Sequence, residues 1–264
     1  MISAELNNGI EMPMIGLGTY ARIAEPGQYQ QAVEWGIEAG YKHIDTASCY
    51  NNEKEVGKGI QNKIKEGLVT REDLFVTTKL WNDCHAEKDV IPSLKESLAR
   101  LNLDYIDLYL IHWPVSVDVK PQINNIKRQS FYFTLLLINP TLTQHKLVDY
   151  CKKHSILPVA YTPLGLISEA RPEFIGKDTI KTDPKLGEIA KKYGKTRAQV
   201  ALRYLIQRGI PVLPKSFTKS RIEENLDIFN FALSNEEMAV VDSYNIDHRC
   251  VPGTAFKNFS YYPF

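Results

Sequence analysis

Apolar positions along the chain follow two alternating patterns. Short, nearly continuous apolar runs, MIGLGTY (14–20), HIDTA (43–47), LFVTTKL (74–80) and YIDLYLIHW (105–113), read as strands buried on both faces. Between them stand stretches with helical spacing. Residues 28–40 carry Ala32, Val33, Trp35, Ile37 and Ala39 ahead of a capping Gly40. Helices are also predicted over 53–64 and 87–102, the latter with Val90, Leu94, Leu98 and Leu101 on one face. Further on come a helix at 143–154, the strand ILPVAYTPLG (156–165), a helix at 196–207 and the strand PVLPKS (211–216). Ser220 opens another helix to about Phe229, and 234–244 forms a last one behind a Ser234–Glu237 capping box. Near the start, Asn8-Gly9 predicts a two-residue hairpin turn. Strands alternating with helices predict a parallel α/β sheet.

Length sharpens that picture. A (β/α)₈ barrel occupies about 250 residues, so 264 residues suit a single domain spanning 1–264. The net charge of +1, with no run of one sign, gives no nucleic-acid or membrane surface. No stretch reaches the roughly 18 apolar residues of a membrane span, and MISAELNNGIEMP is no signal peptide, so a cytoplasmic protein is expected. Cys49, Cys84, Cys151 and Cys250 are scattered, which predicts four free thiols. The six histidines form no HxxxH or HExxH pair, and no metal is expected.

Gly16, Gly18 and Ala21 match the G-x-G-x-x-G/A dinucleotide fingerprint. That motif must open a helix directly. Here Pro26-Gly27 intervenes first, so the glycines read as the packing of a tight strand end.

Candidate chemistry gathers at strand ends. Asp45 ends HIDTA, Tyr50 follows in the loop, Lys79 ends LFVTTKL and His112 ends YIDLYLIHW. The C-terminal ends of parallel barrel strands share one face, where active sites are built. Each residue alone has a structural explanation as a cap, a packed ring, a snorkelling chain or a core histidine; four on one face point to a site. Hydride attack on a carbonyl carbon creates an alkoxide that needs a proton. Tyr50 can supply it, Lys79 can favour its ionisation, Asp45 can anchor Lys79, and His112 can orient the carbonyl oxygen.

The segments GLGTY, HIDTASCYNNEKEVG, LFVTTKLWN, DYIDLYLIHWP, VAYTPLG and LPKSFTKSRIEEN together resemble the aldo-keto reductase superfamily, in the family's order. Within it the text is similar to insect ecdysteroid-reducing members. The resemblance implies a (β/α)₈ TIM barrel, the Asp45, Tyr50, Lys79 and His112 tetrad, and NADPH/NADP+ as cofactor with a small carbonyl compound as substrate. It implies cofactor contacts from Gly18, Thr19, Tyr20 and Asp45. Tyr161 matches the tyrosine on which nicotinamide stacks, and Thr162, Pro163 and Leu164 the turn along the pyrophosphate. Lys215 and Ser216 match the 2′-phosphate grip, followed by Phe217 and Thr218, with Arg221, Glu224 and Asn225 at the adenine end. A cationic pair beside a helix N-terminus suits a phosphate on physical grounds too. Substrate would meet Tyr20, Tyr50, Trp81, His112 and Trp113, and the tail residues Phe256, Phe259, Tyr261 and Tyr262 would form a lid. A monomer is expected.

The pattern breaks after HWP (112–114). Family members continue with a helix, a strand ending in Ser-Asn, a second helix and a strand carrying an Asn-Gln pair for the nicotinamide carboxamide. This chain instead reads VSVDVKPQINNIKRQSFYFTLLL (115–137) and resumes at INPTLTQHKLVDYC. FYFTLLLI (131–138) can serve as one strand, which leaves the barrel about one βα unit short and distorted around 115–138. Two or three lost hydrogen bonds, at about 1–1.5 kcal/mol each, correspond to roughly a thirty- to two-thousand-fold loss. Two readings therefore stand: an NADPH-dependent reductase of aldehydes or ketones, or an impaired or inactive relative with a binding or structural role.

Overall fold

The computed structural model describes residues 2–113, 133–167 and 180–251. The segment 114–132 and the tail 252–264 lie outside the described residues, and with them most of the departing stretch and the four lid aromatics. The chain divides into two compact units, one of Met1–Gly16, Phe131–Pro214 and Glu223–Val251, the other of Leu17–Ser130, Lys215–Ile222 and Pro252–Phe264.

In the second unit, four strands form one parallel sheet: β3 (Leu17–Gly18), β4 (His43–Asp45), β5 (Phe75–Leu80) and β6 (Leu108–Ile111), in that order. Helices α1 (Gln28–Ala39), α2 (Glu53–Lys65) and α3 (Glu87–Leu101) connect them. All six residues of β5 are buried, as the continuous apolar pattern requires. Gly40 caps α1 in the left-handed region at φ 108°. Gly16 and Gly18 open no helix, since α1 begins only at Gln28.

The first unit opens with a hairpin, β1 (Ser3–Glu5) against β2 (Glu11–Pro13). Its loop has three residues rather than the expected two. Gly9 N–H donates to the Leu6 carbonyl at 2.9 Å, and Leu6 N–H to the Ile10 carbonyl at 2.8 Å, with Gly9 at φ 79°. Asn8-Gly9 thus builds a type I turn closed by a left-handed glycine, the other common use of that dipeptide. The unit's parallel sheet holds β7 (Phe133–Leu137), β8 (Leu157–Tyr161) and β9 (Val212–Leu213), and Ile15 bridges to Val212 in parallel. Its helices are α4 (His145–Lys153), α5 (Pro184–Lys192), α6 (Arg197–Gln207) and α8 (Asn235–Asp242), while α7 (Lys219–Leu226) begins in the other unit.

Seven strands in the two sheets are parallel among the described residues. FYFTLLLI does supply one of them, and it pairs with β8 in full register from Phe133↔Leu157 to Leu137↔Tyr161. The alternation is that of a (β/α)₈ fold, with seven of its parallel strands among the described residues. β6 ends the four-stranded sheet and is only half-buried, with Ile111 36% exposed, whereas β5 beside it is fully buried.

Two elements differ from expectation. The buried row of α3 is Ser93, Ser97 and Leu101, while Val90, Leu94 and Leu98 are half-buried beside it. Small hydroxyl residues let the helix approach closely, and the apolar stripe lies along the margin. Helix α5 was not evident from apolar spacing, yet Asp183 accepts from the Leu186 N–H at 2.9 Å and Pro184 stands at the first helical position. Both are standard start signals.

Close packing fixes α2 against α3. A Cβ on Gly57 would lie 2.1 Å from the Leu101 carbonyl oxygen. We expect Gly57→Ala to destabilise the protein by about 2 kcal/mol net, because overpacking outweighs alanine's helix propensity gain of roughly 1 kcal/mol. Thermal denaturation should show a fall of several degrees, with exposed Lys58→Ala as the unchanged control. Equal melting of the two variants would disprove the close approach.

Candidate active site

The site follows from strand parity. Side chains alternate across a strand, so His43 and Asp45 of β4 face one way, and Phe75, Thr77 and Lys79 of β5 face one way. The register pairs Asp45 with Thr77 and Lys79 with Leu110, and two residues past Leu110 comes His112. His112 N–H donates to the Leu80 carbonyl at 3.1 Å, which extends the ladder just past β6. Asp45, Lys79 and His112 thereby reach the same sheet end, and Trp81 shares the parity of Lys79.

Lys79 is 1% exposed and donates to Asp45 Oδ1 at 2.6 Å and to the Thr46 carbonyl at 2.7 Å. Burial pushes the Asp45 carboxyl above its ordinary range, and the Lys79 ammonium pulls it back down. Asp45 Oδ2 is buried with no hydrogen-bond partner among the described residues.

Tyr50 arrives by a different route. A 3₁₀ turn, Ser48–Tyr50, follows β4, and Ser48 Oγ donates to the Lys79 carbonyl at 2.9 Å. This bond ties the turn to the strand that carries the lysine. Lys79 Nζ then lies 5.2 Å from the centroid of the Tyr50 ring. Asn52 locks the base of the turn: Thr46 Oγ1 donates to its Oδ1 at 2.8 Å, and its Nδ2 donates to the Thr19 carbonyl at 3.0 Å.

Aromatic rings enclose the phenol and the imidazole. Tyr50 and His112 meet edge to face at 5.4 Å, and Trp81 meets His112 likewise at 5.3 Å. Trp113 is parallel to His112 at 6.3 Å, and Tyr20, 46% exposed, lies 5.0 Å from Tyr50. Burial, aided by the Lys79 charge, lowers the pKa of His112 to about 3, so the imidazole is neutral at physiological pH. Cys49 Sγ stands 3.4 Å from His112 Nδ1. No local pattern pointed to this contact, because Cys49 reads as one of four scattered thiols. All four cysteines are free, and no group of three or more His, Cys, Asp or Glu among the described residues could hold a metal.

The remaining expected residues distribute as follows. Gly18 ends β3, and Thr19 is buried with its hydroxyl donating to the Asp45 carbonyl at 3.0 Å. Lys215 stands 4.4 Å from the Phe217 ring centroid, and buried Ser216 accepts from the Thr218 N–H at 3.0 Å just ahead of α7. Arg221 is exposed on the first turn of α7. These residues, apart from Glu224 and Asn225 further along that helix, belong to the unit of the tetrad. Glu224 already accepts from the α6 cap, Thr196 Oγ1, at 2.6 Å, and Asn225 is buried. In the first unit Tyr161 ends β8 and packs against Leu137, Leu142 and Cys250. After it come Thr162 at φ 53°, buried Pro163 and half-buried Leu164.

Comparison with known proteins bears on this arrangement. The model of the aldo/keto reductase family matches residues 14–129 and 122–246, two segments that meet inside the departing stretch. The aldo-keto reductase AKR2E4 of Bombyx mori is 40% identical over 300 aligned positions, covering 98% of this chain and 97% of the relative. Prostaglandin-E(2) 9-reductase of Oryctolagus cuniculus is 37% identical over 312 positions, covering 98% and 96%. Both alignments exceed 264 positions, so the relatives carry residues with no counterpart here. The crystal structure of Bombyx mori AKR2E4 in complex with NADP superposes with a TM-score of 0.91 at 37% identity, covering 100% of this chain and 99% of that one. That of AKR2E5 complexed with NADPH gives 0.93 at 35% identity, covering 100% and 93%. The likeness assigns the two parallel sheets to the (β/α)₈ barrel class. Matched from 14 to 246 and related along nearly its whole length, the chain belongs to the aldo/keto reductase family of NADP-dependent oxidoreductases acting on carbonyl groups.

Proposed function

We propose that the protein reduces aldehydes or ketones to alcohols with NADPH, Tyr50 giving the proton. The observation that carries this is the buried Lys79–Asp45 pair beneath the Tyr50 ring, with a neutral His112 across from it. NADPH, when bound, supplies hydride to the carbonyl carbon. Tyr50 hands its phenolic proton to the oxygen that becomes negative. Lys79 stabilises the charge left on the phenol oxygen, and Asp45 holds the ammonium in place. His112, being neutral, acts as a hydrogen-bond donor to the carbonyl oxygen and not as the acid.

The residues present fit the cofactor. The unpartnered Asp45 Oδ2 is an acceptor awaiting a hydroxyl, such as a ribose offers. Lys215 and Arg221, near the start of α7, suit a 2′-phosphate and so favour NADPH over NADH. By family resemblance Tyr161 with Thr162, Pro163 and Leu164 serves the nicotinamide side. Glu224, engaged by Thr196, would act by holding α7 rather than by contact. Tyr20, Trp81 and Trp113 supply an apolar wall, which suits a carbonyl on a bulky apolar skeleton; two relatives are named for prostaglandin and estradiol substrates. We read the chain as one catalytic domain, since the family match runs across both units, and as a monomer by its family resemblance.

A second reading, an impaired relative, is favoured by alignments longer than the chain and by the absent Asn-Gln pair. NADPH titration monitored by tryptophan fluorescence, then NADPH consumption with 4-nitrobenzaldehyde, separates the two. Binding with turnover supports the reductase; binding alone supports the impaired relative.

Three further outcomes are expected. Tyr50→Phe should lower kcat by about 10²–10⁴-fold while NADPH affinity holds, and retained turnover would exclude Tyr50 as the acid. Lys215→Met should weaken NADPH by roughly ten- to hundredfold and leave NADH almost unchanged; equal weakening would reject the phosphate assignment. The third concerns pH. His112 binds its proton near pH 3 when folded but near 6.5 when unfolded, so the unfolded state takes up more protons in between. Stability should therefore drop as pH falls from 6.5 toward 3, and His112→Gln should flatten that drop in denaturant melts.

A further inference from the structure

His112 can orient a carbonyl oxygen only if the ring nitrogen that meets that oxygen carries the proton. A neutral imidazole has one N–H, and its place is set by what the other nitrogen meets. Here the other nitrogen meets sulfur: Cys49 Sγ lies 3.4 Å from Nδ1. The ring has little freedom to turn away, since Tyr50, Trp81 and Trp113 flank it at 5.4, 5.3 and 6.3 Å. The sulfur is held as well, because the turn that carries it is tied to β5 through Ser48.

The shared proton can lie in two senses. Either the thiol donates to Nδ1, or Nδ1–H donates to sulfur. A thiol sulfur is a weak acceptor, whereas an imidazole nitrogen lone pair is a good one. Burial pushes the Cys49 thiol up to about 12, so at neutral pH it keeps its proton and can donate.

We propose that Cys49 is a positioning residue for carbonyl reduction: its S–H donates to His112 Nδ1 and fixes the tautomer with the proton on Nε2, the nitrogen left to meet the substrate oxygen. This rests on the reductase reading above. It also explains why a cysteine in the catalytic turn has no redox or nucleophilic part in the scheme. Its thiol is too basic to ionise and is already committed to the imidazole.

The test compares wild type with Cys49→Ser, Cys49→Ala and Cys49→Val. Serine keeps a donor, alanine removes it, and valine removes it while keeping side-chain volume. Long-range ¹H–¹⁵N spectra of histidine-labelled protein report which ring nitrogen bears the proton. The Nε2–H form should dominate in wild type and Cys49→Ser, and a mixture should arise in the other two. In parallel, kcat/KM for an aromatic aldehyde should fall roughly three- to tenfold in Cys49→Ala and Cys49→Val, mainly through KM, with serine restoring most of it. An unchanged tautomer in both Cys49→Ala and Cys49→Val overturns the proposal whatever the kinetics. Failure of the wild type to turn over any carbonyl would defeat the reductase reading instead, and the spectra would still decide the role of Cys49.

Discussion

The ion pair between Lys79 and Asp45 is the constraint around which the site is arranged. Two charges on side chains 1% and 7% exposed are costly to bury, and removing either alone would strand the other at a cost of about 3–5 kcal/mol. The fold accommodates them because adjacent parallel strands place polar residues side by side. His43 Nε2 and Thr77 Oγ1 are 3.0 Å apart, and two residues further along the same strands Asp45 meets Lys79. The opposite face of β5 is anchored separately: Thr78 Oγ1 donates to buried Glu53 of α2, whose other oxygen takes the Arg100 Nε at 2.7 Å. One face of the strand is thereby freed for chemistry while the other is tied to helices. The phenol and the imidazole are then positioned relative to a cation that cannot move.

Strand parity explains why so much of this was legible in the sequence. Residues that end buried strands must sit at one sheet end, so Asp45, Lys79 and His112 could be grouped before any coordinates. Helix positions followed from caps and periodicity, and the Ser234–Glu237 capping box formed as read. The departure after HWP (112–114) was legible in the missing family segments, and most of that stretch lies outside the described residues. What stayed hidden depends on contacts between segments far apart in sequence. The Ser93–Ser97 spine of α3 contradicts a hydrophobicity count because closeness of approach, not apolar area, chose the buried face. Cys49 meets His112 across 63 positions, and Glu224 meets Thr196 across 28. No local pattern encodes either distance.

Burial is uneven within the tetrad's own unit. An interior strand of a parallel sheet is expected to be buried on both faces, and β5 meets that expectation where β6 does not. The apolar stripe of α3, Val90, Leu94 and Leu98, is likewise only half covered, and Ile91 is 55% exposed. Burial of a leucine-sized side chain contributes about 1.5–3 kcal/mol, so leaving several half-covered removes a sizeable part of a domain's net stability. His112 lies just beyond β6, the less buried of these two strands. The rings of Tyr50, Trp81 and Trp113, together with the Cys49 thiol, flank it. In this chain the imidazole is kept in place by side chains around it.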